Sequence, residues 1–149
     1  MSRRLKQAAA VLVILFAGAQ FIRPSRANPP VDTTRTIAAH VEKTSTLPAI
    51  LDRSCADCHS NATAWERLPW YTEIAPLSWA MARGVSEGRK AINFSEWGGY
   101  SRTARQTLLS VSCDDVSSGK MPGPWTLVHP ETKLSAQDIA TICAAAKGE

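Results

Sequence analysis

The first 27 residues contain no acidic side chain, although they carry Arg3, Arg4, Lys6, Arg23 and Arg26. The rest of the 149-residue chain holds 12 basic and 13 acidic groups, so the formal charge of +4 belongs to the N-terminus. A near-neutral body with no Lys/Arg stripe among aromatics speaks against nucleic-acid binding. No segment repeats and none is of low complexity, so neither a solenoid nor a disordered tract is expected. No stretch alternates apolar and polar residues, and nothing predicts a sheet. Cysteine is scarce, at four. Cys113 and Cys143 stand far apart and offer no second ligand pair at zinc spacing. With 44% hydrophobic residues the chain is one domain's worth and long enough for a core.

What is present is one Cys-x-x-Cys-His, Cys55-Ala56-Asp57-Cys58-His59. It is the attachment signature of a c-type haem, and each part has a chemical reason. Two thiols are needed to add across the two vinyl groups. Two intervening residues let both sulfurs reach one edge of a porphyrin. A His directly after the second Cys falls under the iron and supplies a neutral imidazole nitrogen. A thioredoxin-type dithiol would follow a strand in a βαβ setting, which the pattern lacks. The motif occurs once, so one covalent haem c is expected.

The N-terminus reads as an export segment. Arg3, Arg4 and Lys6 precede an apolar run over residues 8–22 that only Gln20 interrupts. Its length suits a signal peptide, with cleavage after Ala19 or after Ala27; counted from Leu5 it also suits a short retained anchor. Positive residues ahead of the run place the domain on the exported side. The chain therefore divides into 1–27 (signal peptide or signal anchor), 28–32 (Pro-rich linker) and 33–149 (haem-binding domain). Pro24, Pro29 and Pro30 make residues 23–31 stiff and extended. In an oxidising compartment Cys113 and Cys143 are read as a disulfide closing a loop of about 30 residues, with two free thiols as the alternative.

Periodicity predicts an all-α fold. Helices are expected over 33–42, 47–58, 76–91 and 101–112, and from Ser135 to about 146. Ser135 with Asp138 forms a capping box and Gly148 ends the last helix. Residues 118–124, Ser-Gly-Lys-Met-Pro-Gly-Pro, form a loop.

Met121 in that loop is the first candidate for a sixth iron ligand, because Pro122 stiffens the backbone and a thioether favours ferrous iron. His129 is the alternative; Met81 and His40 are weaker candidates, and Met1 is excluded by position. Five Trp are many for this length. Trp125 follows Met121 and is the expected wall near the sixth ligand, since flat aromatic area covers a porphyrin. Arg67, Arg83, Arg89 and Lys90 are candidates for pairing propionates.

Taken together, Cys55–His59, Ser60-Asn61, Leu68-Pro69-Trp70-Tyr71, Ile74-Ala75-Pro76-Leu77-Ser78-Trp79, Glu87-Gly88-Arg89, Asn93-Phe94-Ser95-Glu96-Trp97, Lys120-Met121-Pro122 and Leu127-Val128-His129-Pro130 resemble a bacterial haem-binding domain family of small exported c-type cytochromes. The resemblance covers nearly the whole chain. It implies a periplasm-facing monohaem protein, commonly with an N-terminal hydrophobic segment, in which Cys55, Cys58 and His59 hold the haem. Met121 and His129 both fall within its motifs. Leu68 departs from the Trp more usual there. The expectation is a small cytochrome c-like domain that passes electrons to or from a redox partner, tethered to the membrane if the N-terminal segment stays uncleaved, and doing no bond chemistry. The alternative is a haem enzyme or sensor, peroxidase-like or gas-binding, with an open sixth site.

Overall fold

The computed structural model describes residues 2–42, 44–127 and 129–148. Val128 of the Leu127–Pro130 string, and Met1, lie outside the described residues. Among the described residues six α-helices run in chain order: α1 Arg3–Ala19, α2 Leu47–Ser54, α3 Ala56–His59, α4 Leu77–Ala91, α5 Arg102–Ser117 and α6 Ala136–Lys147. Short 3-10 turns fill the connections, and no strand occurs among the described residues. The all-helical expectation holds.

The core gathers Leu47, Ile50 and Leu51 of α2, Ile92, Phe94 and Trp97 of the segment after α4, Val116 of α5 and Ile142 of α6. The buried residues of α2, Leu47, Ile50, Leu51 and Ser54, share one face, which places the Cys-x-x-Cys-His segment directly on the core. Helix α6 begins as its sequence dictates. Ser135 Oγ accepts from Asp138 N at 3.1 Å, and Asp138 Oδ2 accepts from Ser135 N at 2.8 Å. Gly148 ends it with φ +79°, a left-handed cap that a glycine adopts without a Cβ clash. Helices α5 and α6 pack together and are joined by a Cys113–Cys143 disulfide with Cα atoms 4.8 Å apart. The chain between those cysteines contains Met121, Trp125 and His129.

Three local expectations differ from the structure. Residues 33–42 form only the 3-10 turn Ile37–Ala39. The reason is competition: Asp32 Oδ1 accepts from Thr34 N at 2.9 Å and from Thr34 Oγ1 at 2.6 Å, and Thr36 Oγ1 donates to Thr33 O. The helix expected over 47–58 breaks at Cys55 (φ −133°, ψ −32°) into α2 and α3. The helix expected over 101–112 continues to Ser117.

The N-terminal residues behave in two ways. Helix α1 buries none of its side chains, and Val11 to Phe16 are all more than half exposed. No helix among the described residues is long and apolar enough to cross a membrane. Residues 20–30 instead fold back as an extended strap on the domain. Gln20 exchanges hydrogen bonds with the Ala75 backbone, Trp79 Nε1 donates to Ile22 O at 2.8 Å, and Arg26 donates to Thr72 O at 2.7 Å. Arg26 also pairs with Glu73 and lies 5.2 Å from the Trp65 ring centroid. Asn28 donates to Thr63 O at 2.8 Å, and Asn61 Nδ2 donates to Pro30 O at 3.2 Å.

Candidate functional site

The kink at Cys55 sets the motif's geometry. Helix α2 ends on the bond from Cys55 N to Leu51 O, and α3 starts on those from Cys58 N and His59 N to Cys55 O. Ser60 then turns extended and ends α3 after one turn. Asp57, between the two cysteines, pins the chain beyond: its backbone O accepts from Thr63 Oγ1 at 2.7 Å and its carboxylate from Ala64 N at 2.9 Å.

Helix α3 lies against α4 at Gly88. A Cβ there would sit 2.5 Å from Cys58 O and 3.2 Å from Cys58 Cβ, so only glycine permits this approach. The Gly88 carbonyl has a second role. His59 Nδ1 donates to Gly88 O at 2.9 Å, with Ile92 O at 3.3 Å. A carbonyl only accepts, so the proton is on Nδ1 and Nε2 is left with its lone pair. Burial pushes the His59 pKa down, opposed by the Ile92 and Gly88 carbonyls. A buried imidazole held by a backbone carbonyl is how metal-ligating histidines are usually oriented.

A buried polar network backs the motif. Asn93 Nδ2 donates to Asn61 Oδ1 at 2.8 Å, Asn61 N to Ser95 Oγ at 3.0 Å, and Ser95 N to Asn93 Oδ1 at 3.0 Å. These bonds give Asn61, Asn93 and Ser95 a structural role that the sequence alone did not assign.

Cys55, Cys58 and His59 line one cavity with Leu68, Met81, Val116, Met121, Pro122, Trp125 and His129. The cavity has a volume of about 90 Å3 and opens to solvent. Both thiols are free, and burial raises them, Cys55 to about 12 and Cys58 to about 11. A redox dithiol requires the opposite, a thiol lowered toward neutrality. Among the described residues no three His, Cys, Asp or Glu side chains converge as a metal-ion site.

His129 lines the same cavity. It is 5% exposed, and its Nε2 is buried without a hydrogen-bond partner. Nδ1 donates to Glu131 Oε1 at 2.9 Å, which in the neutral ring leaves the lone pair on Nε2. An unpaired buried polar atom costs about 1–3 kcal/mol, so a native one calls for an occupant. The Trp125 ring lies 6.5 Å from the His129 ring, and His129 N donates to Trp125 O at 2.7 Å. Met121 is 42% exposed. Met81 reaches the cavity from α4, whereas His40 lies against Gly98, away from it.

The other aromatics go elsewhere. Trp65 and Trp79 hold the N-terminal strap, Trp97 is in the core against Tyr100, and Trp70 is 73% exposed. Arg89 is committed to Ser60 O at 2.6 Å, Asn28 Oδ1 at 2.6 Å and Thr63 Oγ1 at 2.8 Å, and Lys90 pairs with Glu87. The guanidinium that lines the cavity is Arg53, which sequence reasoning did not select and which also binds Asp138 at 2.9 Å.

An apolar cavity lined by two free thiols, two imidazoles and one tryptophan offers the donor set that would hold a flat, metal-centred macrocycle. The chain belongs to the haem-binding domain family, whose model matches residues 14–148. No curated protein and no solved structure matches it.

Proposed function

We propose that this protein is a periplasm-facing monohaem c-type cytochrome that transfers electrons to or from a redox partner. The haem is held by thioether bonds to Cys55 and Cys58, with His59 as proximal ligand. The observation that carries this reading is that both free thiols and His59 line one cavity together with Trp125 and His129. When bound, the haem supplies a one-electron couple. The chain's own part is to hold it: Gly88 lets α3 seat against α4, the Gly88 carbonyl orients His59, and Leu68, Met81, Val116 and Trp125 exclude water. Met121 and His129 both line the cavity as candidates for the sixth position. The near-neutral domain suits a partner recognised through a small, transient patch rather than by strong charge steering.

Export is supported by the basic residues that start α1 and by an apolar helix that packs on nothing in its own domain. The strap favours retention of residues 20–28 in the mature chain. Cleavage after Ala27 would remove the contacts of Gln20, Ile22 and Arg26, whereas cleavage after Ala19, or none, preserves them.

The test is production of the full chain in cells with haem-attachment machinery. Haem that stays with the polypeptide through denaturation and acid-acetone extraction, and is lost in Cys55→Ser/Cys58→Ser, is the expected result. Wild-type haem that extracts freely overturns covalent attachment.

A further inference from the structure

We infer that His129 is the sixth iron ligand, through Nε2, and that Glu131 is its positioning residue, so the protein carries a bis-imidazole iron. This rests on the haem reading above and goes further by naming the ligand that closes the site. Three observations support it. His129 Nε2 is a buried nitrogen with no partner, on a side chain that is 5% exposed and lines the cavity that holds His59. Its Nδ1 donates to the Glu131 carboxylate at 2.9 Å, so the neutral ring presents the Nε2 lone pair to the cavity. Its backbone is fixed on both sides: His129 N donates to Trp125 O at 2.7 Å, and His129 O accepts from Thr132 N at 3.1 Å and Thr132 Oγ1 at 2.7 Å. An imidazole whose distal nitrogen is desolvated and whose other nitrogen donates to a carboxylate is arranged as metal-ligating histidines are. Met121 has no comparable constraint on its thioether and is 42% exposed, so it covers the cavity edge.

The assignment decides between the two classes of haem protein. Two strong nitrogen ligands occupy both remaining iron positions, which favours carrying electrons over binding oxygen, peroxide or carbon monoxide. Replacing a thioether by an imidazole also lowers the reduction potential, since a Met ligand raises it. A Glu131 carboxylate on Nδ1 strengthens the imidazole as a donor and lowers it further.

The experiment uses the full-length holoprotein, read by optical and electron paramagnetic resonance spectra of the oxidised and reduced forms. Wild type is expected to be low-spin in both states, without a far-red sulfur-to-iron band. Met121→Ala is expected to leave the spectra unchanged. His129→Ala is expected to turn high-spin and bind carbon monoxide when reduced, with added imidazole restoring the low-spin spectrum. Glu131→Gln is expected to stay low-spin with a raised midpoint potential, a shift that a merely structural residue would not produce. A far-red sulfur band in wild type that disappears in Met121→Ala overturns the assignment. So does a high-spin wild type that responds to carbon monoxide or peroxide, in which His129 would be a distal acid–base group. Should His129→Ala fail to accumulate, wild type and Met121→Ala still decide the matter. Wild type without covalent haem overturns the attachment reading instead, and denaturing gels separate the two failures.

Discussion

Gly88→Ala tests the reasoning at the point where the haem motif meets the rest of the fold. A Cβ at this position would lie 2.5 Å from Cys58 O and 3.0 Å from Cys58 C, roughly 0.9 Å short of the 3.4 Å at which ordinary contact begins. The obstructing atoms are backbone, so relief requires α3 to move off α4. That movement stretches the 2.9 Å bond from His59 Nδ1 to Gly88 O beyond its useful range. Overpacking costs about 1–3 kcal/mol and the weakened hydrogen bond about 1 kcal/mol, while alanine returns about 1 kcal/mol of helix propensity. The net expectation is a loss of about 1–3 kcal/mol, a fall in Tm on the order of 3–12 °C. Gly84 supplies the control. It lies one turn earlier in the same helix with nothing within 4 Å of an added Cβ, so Gly84→Ala is expected to gain about 0.5–1 kcal/mol. The assay is thermal unfolding of the two variants and wild type by circular dichroism. If Gly88→Ala matches or exceeds Gly84→Ala, the close approach of Cys58 to α4 is wrong.

Opening the α5–α6 disulfide with Cys113→Ser/Cys143→Ser enlarges the unfolded ensemble; for a loop of 30-residue separation chain entropy gives a loss of about 3.5 kcal/mol, read as a lowered denaturant midpoint. The Asp138 carboxylate is held below its ordinary pKa by the Ser135 backbone N–H, then its hydroxyl, then Arg53. Because the folded-state value is the lower one, its contribution is intact above about pH 4 and fades as pH falls below that. Asp138→Asn is therefore expected to be less stable than wild type at neutral pH, with the Tm difference closing on acidification below about pH 4. A chain beginning at Asn28 is expected to melt below one beginning at Gln20, because only the latter keeps the bonds to Thr72, Ala75 and Trp79; equal melting temperatures would show that the strap contributes nothing.

Local chemistry was the legible part of this protein. A Cys-x-x-Cys-His needs only five adjacent residues to be recognised, and the capping box of Ser135 and Asp138 and the Gly148 stop act within one turn, so both appear in the structure where the sequence puts them. The cluster of Trp residues after the motif was legible as a cluster but not in its use. Trp65 and Trp79 hold residues 22–28, Trp97 fills the core, and only Trp125 of the five lines the cavity. The helix expected over 33–42 failed on side-chain competition, because Asp32, Thr33, Thr34 and Thr36 bond to one another.

By itself the sequence determined the Cys-x-x-Cys-His motif, the helical class and the charge asymmetry that sets the N-terminus apart, since each depends on composition or on residues a few positions apart. Tertiary structure alone decided what surrounds the motif. That Gly88 admits Cys58, that its carbonyl orients His59 across 29 residues, and that His129 is buried with one nitrogen satisfied and the other free are consequences of packing between distant segments. So is the strap, in which Gln20 meets Ala75 across 55 residues. Propensity and periodicity carry no term for such meetings, because they arise only when separate helices compete to bury the same apolar surface.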